Sequence, residues 1–303
     1  MEFTGNVAYT KEREWEEYLL PASVEEALRL LKLHKGRARV IAGGTDVVVQ
    51  ARAGAMKEKV LVDITRIKGL DFIKKEKDMI RIGCLATHSR IAESSLIREK
   101  ATALAEGASR LGSPQIRNIA TVAGNIVNAQ PGADTVIPLL ALNAEVLVAS
   151  GRGERRIPLA KLFTGVGQSR IESTREMVIE IVFPAQKKGE GSAAFRLAKR
   201  SALALPILTA AAWVATDRKA GRFVKARIAV GPVAITPLRC VDAEKVLAGA
   251  LISDDVIKRA AQEAVGAAHP RTSLIRGSRE YRQAMVAVLV ERAIKAALQR
   301  SEA

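Results

Sequence analysis

Aromatic residues are scarce, at 4% of the chain. Stacking platforms for single-stranded nucleic acid therefore have little to be built from. The charge balance taken alone would admit nucleic acid, since 48 Lys and Arg face 32 Asp and Glu for a net +16. The basic residues are dispersed, however, and no basic run carries interleaved aromatics. An anionic cofactor, an acidic partner subunit or a simply charged surface accounts better for the excess, and no nucleic-acid partner is expected. Cysteine is rarer still. Cys84 and Cys240 lie far apart and make no CxxC, which excludes iron–sulfur or structural zinc built on cysteine runs. His34, His88 and His269 have no metal-ligand spacing, and no metal site is expected. Long hydrophobic runs are also missing. "SALALPILTAAAWVAT" and "TVIPLLALNAEVLVAS" contain Pro, Asn or Glu and fall short of the ~18 uncharged residues of a membrane span. The stretch "MEFTGNVAYTKEREWEEY" carries acidic residues and no apolar core of a signal peptide, so a soluble cytoplasmic protein is expected.

What is present is enough for a sizeable core: 303 residues, 48% of them hydrophobic. At about 150 residues per domain, two domains are the default. "PASVEEALRLLKLHKG" predicts a helix: Pro21 to Ser23 open it, Glu25 and Glu26 suit its first turn, and Gly36 ends it. Val24, Ala27, Leu28 and Leu31 recur at helical spacing and mark its buried face, with His34 a surface or capping residue. "ARVIAGG", "KVLVDITRI", "MIRIGCLAT" and "MVIEIVFP" read as strands, with Cys84 a core residue. "HSRIAESSLIREKATALAEGASRLG" reads as helix in two pieces, and "TVIPLLALNAEVLVAS" as helix then strand. The stretch Pro184 to Ser192 is polar, charged and holds two glycines, and is the best linker candidate. Beyond it, "LPILTAAAWVATD" and "GRFVKARIAVGPVAITPLR" predict antiparallel strands, followed by three helices. The C-terminal third is thus sheet plus helices, α+β in style.

Two segments carry chemistry. "RVIAGGTDVVVQ" sets Gly-Gly-Thr-Asp between apolar stretches. It is neither GxGxxG nor a Walker A loop. Glycine without a Cβ lets the backbone approach an anion, successive N–H groups can form a nest, and Thr45 adds a hydroxyl; a plain structural turn explains the same residues. "SPQIRNIATVAGNIVNAQPGAD" is poor in charge, rich in small residues and Asn, and without period, which predicts loop lining a site. Thr121 and Asn125 flank Gly124, and Asp134 can accept from ligand hydroxyls. Two such segments about 75 residues apart suggest an elongated anionic ligand crossing a domain.

In these segments and their order, the chain resembles the FAD-binding medium subunits of molybdenum hydroxylases, of the aerobic carbon monoxide dehydrogenase and xanthine dehydrogenase type. "YLLPASVEEALRLL" followed by "RVIAGGTDVVVQ" is similar to the family's first FAD segment, and "LGSPQIRNIATVAGNIVNAQPGADTVIPLLALNAEVLV" to its second. "VLVDITRIKGL", "IRIGCLATHSRIAES" and "VGPVAITPLRCVDAEKVLAG" fall in the family's order as well, so the likeness covers nearly the whole chain. The resemblance implies an α+β fold: a two-part FAD-binding domain of the PCMH type (1–58 and 59–184), a linker (185–191) and a smaller C-terminal domain with an antiparallel sheet and helices (192–303). It implies that Ile41, Ala42, Gly43, Gly44, Thr45, Asp46 and Val47 wrap the FAD diphosphate. Thr121, Gly124 and Asn125 would hold its other side, and Asp134 its polar chain or adenosine. Ile179 would pack near the flavin or adenine, and Arg196 would be the basic contact from the last domain. Ala123 and Ala120 stand where the family usually or often has glycine, so the local turn is expected to differ, because alanine resists positive φ.

The resemblance further implies partners: a molybdenum-cofactor large subunit and a [2Fe-2S] small subunit, arranged as a dimer of heterotrimers, with a small-molecule electron acceptor. Electrons would pass from the iron–sulfur centres to FAD in this chain. Such a role requires orientation and electrostatic tuning of a flavin rather than an acid or base, so no catalytic residue is named. His88 and Lys199 are read as surface or structural. A stand-alone FAD-dependent oxidoreductase and a non-enzymatic flavin-binding scaffold are the alternatives.

Overall fold

The computed structural model describes residues 14–302. The N-terminal stretch expected to lack a signal peptide lies mostly outside them.

The chain begins with a small parallel sheet. Strand β1 (Glu17–Leu19), helix α1 (Val24–Leu33), strand β2 (Ala38–Ile41), helix α2 (Val47–Arg52) and strand β3 (Val60–Asp63) give the strand order β1-β3-β2. Helix α1 forms as the sequence predicts: the Ser23 hydroxyl accepts from the Glu26 amide, Ala27 and Leu31 are buried, and His34 caps the C-terminus. The Val-Val-Val of α2 would favour a strand by propensity alone. It is helical here, with Val47 and Val48 packed on a small satellite core of Ile41, Ala51, Met56 and Leu61.

The second part holds β4 (Ile73–Glu76), β5 (Met79–Gly83) and six short helices: α3 (His88–Glu93), α4 (Ser95–Lys100), α5 (Thr102–Arg110), α6 (Pro114–Ile119), α7 (Val122–Val127) and α8 (Val136–Ala141). Strands β6 (Glu145–Ser150), β7 (Gly153–Pro158), β8 (Phe163–Gly165), β9 (Gln168–Ser169) and β10 (Glu176–Pro184) follow. An antiparallel five-stranded sheet runs β4-β5-β10-β6-β7, and β8 pairs with β9. A bulge in β10 between Val178 and Glu180 leaves Ile179 out of the β6 register, and its carbonyl accepts instead from the Cys84 amide at 3.0 Å. The charge-poor second segment is mainly helical rather than loop. Ser113 and Thr121 each cap a six-residue helix through their hydroxyls, α6 and α7 respectively, too short for a period to show.

The third part is an antiparallel sheet β11 (Glu190–Leu197), β12 (Leu208–Asp217), β13 (Arg222–Gly231), β14 (Leu238–Arg239), with helices α9 (Val241–Leu247), α10 (Asp254–Ala267) and α11 (Arg279–Ser301). Strand β11 starts inside the stretch read as linker, which leaves 185–189 as connection. The sheet is buried on both faces, and β12 shows why its sequence is nearly continuous in apolar residues. Leu208, Ala210, Ala212 and Val214 pack with the three helices, whereas Ala211 and Trp213 join the core of the preceding parts. The two faces are pinned by Glu106 of α5, which accepts from the Ala194 amide at 2.7 Å and pairs with Arg300 of α11 at 2.7 Å. Among the described residues no helix is long and apolar enough to cross a membrane, and no three His, Cys, Asp or Glu converge as a metal site.

Candidate functional site

The two small-residue segments meet. A Cβ on Gly43 would lie 1.9 Å from the Ile119 carbonyl oxygen and 3.1 Å from the Ala120 Cα, so only glycine allows this approach. Gly44 is needed for another reason, its φ of +69°. Its missing Cβ would face Ile41 and Val48 at 3.3 Å, away from any ligand. Gly43 is thus required first by chain-on-chain packing, and Gly44 by its backbone conformation. Opposite them, the Ala120 carbonyl accepts from the His88 amide at 3.1 Å, the Val122 amide donates to Ala86 at 3.0 Å, and Thr87 bridges Thr121. These bonds fix the α6–α7 junction against the start of α3.

Between the segments lies a cleft of about 530 Å³, within the ~300–1,000 Å³ usual for cofactor sites. Ala42, Gly43, Gly44, Thr45, Asp46 and Val47 line one wall; Thr121, Gly124, Asn125 and Asp134 line the other. No acceptor among the described residues takes the N–H groups of Gly44, Thr45, Asp46 or Val47, which are the open donors of a helix N-terminus. The side chains are anchored behind. Thr121 Oγ1 accepts from the Gly124 amide at 3.1 Å, and Asn125 Oδ1 accepts from the Thr135 hydroxyl at 2.7 Å, leaving the Asn125 amide nitrogen free to donate. Arg39 donates to Gln50 at 3.0 Å, and Gln50 to Asn128 at 3.4 Å, tying α2 to the end of α7.

Three of the residues expected at the site do not line it. Ile41 is buried beneath the glycine loop, Ile179 is turned away by the β10 bulge while Met177 and Val178 line the cleft, and Arg196 stands behind Asp134. Arg196 Nε donates to Asp134 Oδ1 at 2.7 Å, both side chains being buried. Burial pushes the Asp134 carboxyl up to about 6, against the pull of Arg196. Lys199 is exposed on the loop after β11.

Four lining features were not singled out as site residues from sequence. His88 is fully buried, and neither ring nitrogen has a hydrogen-bond partner. Burial pushes it down to about 4, with the Thr121 backbone pulling weakly the other way. Cys84 is buried, and burial pushes its thiol up to about 12. Burial would also raise the Glu176 carboxyl, but Arg155, donating at 2.6 and 2.9 Å, and the Glu172 amide hold it below the usual range. Arg276 reaches the cleft from the loop before α11. The only sequence signals were the histidine beginning a predicted helix and an arginine in a glycine-containing turn.

The donor set suits a long ligand with a diphosphate and hydroxyls: open backbone amides on one wall, small polar side chains on the other, and an apolar end at Ile171, Met177 and Val178.

Comparison with known proteins agrees with this chemistry. Residues 11–186 match the family model described as the FAD binding domain in molybdopterin dehydrogenase, and residues 193–297 match the CO dehydrogenase flavoprotein C-terminal domain. The 6-hydroxypseudooxynicotine dehydrogenase complex subunit alpha of Paenarthrobacter nicotinovorans is 35% identical, covering 94% of this chain and 95% of its own. The xanthine dehydrogenase FAD-binding subunit of Escherichia coli O157:H7 is 32% identical, over 93% and 95%. A chain in the solved carbon monoxide dehydrogenase of Hydrogenophaga pseudoflava superposes with a TM-score of 0.89 at 30% identity, covering 94% of this chain and 98% of that one.

Proposed function

The chain belongs to the molybdopterin dehydrogenase FAD-binding family, and on that premise we propose that it is the FAD-carrying electron-transfer subunit of a multisubunit molybdenum hydroxylase. The observation that carries this reading is the meeting of the glycine loop with the Thr121–Asn125 segment around one elongated cleft. When bound, FAD supplies the redox chemistry, able to take electrons singly from an iron–sulfur donor and release them to an external acceptor.

The protein's own contribution is binding and placement. The amides of Gly44 to Val47 offer hydrogen bonds to the diphosphate, and Thr121 and Asn125 close the opposite side. Asp134, held by Arg196, presents an acceptor to hydroxyls. Ile171, Met177 and Val178 give an apolar seat at the far end.

The buried titratable groups of the cleft favour a carrier over a self-sufficient oxidoreductase. Proton abstraction near neutrality calls for a free base tuned to that range. Asp134 and Glu176 are ion-paired, His88 is a very weak base at about 4, and the Cys84 thiol sits near 12. Substrate oxidation is therefore assigned to a molybdenum-bearing large subunit, with a [2Fe-2S] small subunit as the donor to this chain, in a dimer of heterotrimers. One relative is a subunit of a dehydrogenase complex and another is a FAD-binding subunit, which supports that assignment. The test is stoichiometry: the purified protein or its complex should release about one FAD per chain on acid treatment. Failure to bind FAD at saturation under native conditions would overturn the proposal.

A further inference from the structure

Among the described residues, Arg276 is a guanidinium without a counterion. It lines the cleft, its Nε is buried with no hydrogen-bond partner, and no carboxylate among the described residues pairs with it. A tight turn delivers it. The Ser273 amide donates to Gly277 at 3.0 Å, the Gly277 amide donates back at 2.9 Å, and Gly277 takes a φ of +100°. Leu274 and Ile275 are exposed at the tip of this turn, whereas Arg276 returns to the cleft.

A second uncompensated cation stands close behind. Arg282, 4% exposed, spends its donors on three backbone carbonyls: Ile207 at 3.4 Å, Arg271 at 2.6 Å, and Pro232. No acid pairs with it among the described residues. Its guanidinium is held below its ordinary value first by burial and then by the charge of Arg276. The cleft's own buried acids are committed elsewhere, Asp134 to Arg196 and Glu176 to Arg155. Two partly desolvated positive charges side by side are unfavourable unless an anion joins them.

We propose that Arg276, backed by Arg282, is a phosphate-binding residue on the C-terminal wall of the cleft, taking a phosphate of a dinucleotide. The planar fork of a guanidinium matches two phosphate oxygens, and because the Arg282 donors are taken by backbone carbonyls, Arg276 is the one placed to bind it. The phosphate is either that of the FAD or that of an external dinucleotide acceptor arriving at the same mouth. The inference rests on the cleft being the FAD site and adds to it a positive charge, which the amides and the Thr45 hydroxyl of the glycine loop do not supply.

The test uses the full chain with Arg276→Gln and Arg276→Lys. FAD and riboflavin, which has no phosphate, are titrated into the apoprotein by fluorescence, and ADP-ribose into the FAD-loaded protein by calorimetry. If the phosphate is that of FAD, Arg276→Gln weakens FAD about tenfold or more, the size of one charged hydrogen bond, and leaves riboflavin within about twofold. If it is that of an external dinucleotide, FAD affinity is kept and ADP-ribose loses about tenfold. In either case Arg276→Lys, keeping charge but not the fork, falls between wild type and Arg276→Gln. Equal weakening of FAD and riboflavin, or no change with any probe, overturns the proposal. A wild-type protein that binds neither flavin overturns the FAD reading itself, a separable result.

Discussion

Replacing Gly43 with alanine should disable the site by a mechanism that can be sized from the structure. The new methyl would sit 1.9 Å from the Ile119 carbonyl oxygen. An ordinary carbon–oxygen contact is about 3.3 Å, so one wall must retreat by roughly 1.4 Å. Ile119 cannot swing aside cheaply, because the adjoining Ala120 is held through both its amide, to Ile116 at 2.8 Å, and its carbonyl, from His88 at 3.1 Å. Overpacking of this kind costs about 1–3 kcal/mol. At about 2–4 °C per kcal/mol the unfolding midpoint should fall by about 5 °C. A shift of that size is also enough to break two hydrogen bonds to a ligand spanning both walls. That is about 2 kcal/mol, or a thirtyfold loss of FAD affinity. Two comparison variants isolate the cause. Gly44→Ala meets only the flexible Ile41 and Val48 side chains at 3.3 Å, and its cost is the φ of +69°, about 1–2 kcal/mol, with a smaller loss of affinity. Gly54→Ala, at φ +67° with no atom within 4 Å, carries the backbone cost alone and should bind FAD as the wild type does. Scanning calorimetry and FAD titration on the three proteins read all of this. Wild-type affinity and midpoint in Gly43→Ala, with a lowered midpoint in Gly54→Ala, would refute the packing of the two segments.

Three further outcomes are expected. His88, at about 4 in the fold against an ordinary value near 6.5, contributes stability that is whole above pH 6.5 and drains by about 3 kcal/mol as the pH falls toward 4; His88→Gln should flatten that acid limb in urea titrations. Arg196→Met strands a buried Asp134 carboxylate and should cost about 3 kcal/mol at pH 8 but clearly less at pH 5, where the carboxyl takes up a proton; a pH-independent cost would mean that the ion pair is not the cause. Cys84 and Cys240, each 1% exposed and pushed up to about 12, should resist a thiol reagent in the native state and react only on unfolding; rapid native labelling of either would contradict their burial.

Local signals were the legible ones. The cap and period of α1 are carried by eleven consecutive residues, Ser23 to Leu33, and the nearly continuous apolar run of β12 by that strand alone. The glycine loop was legible as special, but its reason was not. That Gly43 must face Ile119 depends on two stretches some 75 residues apart coming together. The second segment misled because α6 and α7 span six residues each, under two turns, so small residues and asparagines outweighed the caps at Ser113 and Thr121. Asp134 and Arg196 were each assigned to the cofactor; pairing across 62 residues makes Asp134 the lining member and Arg196 its support. His88 and Arg276 escaped because orphaned nitrogens are a property of tertiary surroundings, and no composition or spacing announces them.

On the proposed function this chain carries a flavin whose electrons come from another subunit. Rapid-mixing absorbance tests it most directly, following the bound flavin of the FAD-loaded chain after mixing with a small hydroxylase substrate, alone and then with its molybdenum and iron–sulfur partners. No appreciable bleaching is expected in the isolated chain and fast bleaching once both partners are present, lost again when the iron–sulfur subunit is omitted. Fast reduction in the isolated chain, at a rate the partners leave unchanged, would contradict it and establish a self-sufficient oxidoreductase.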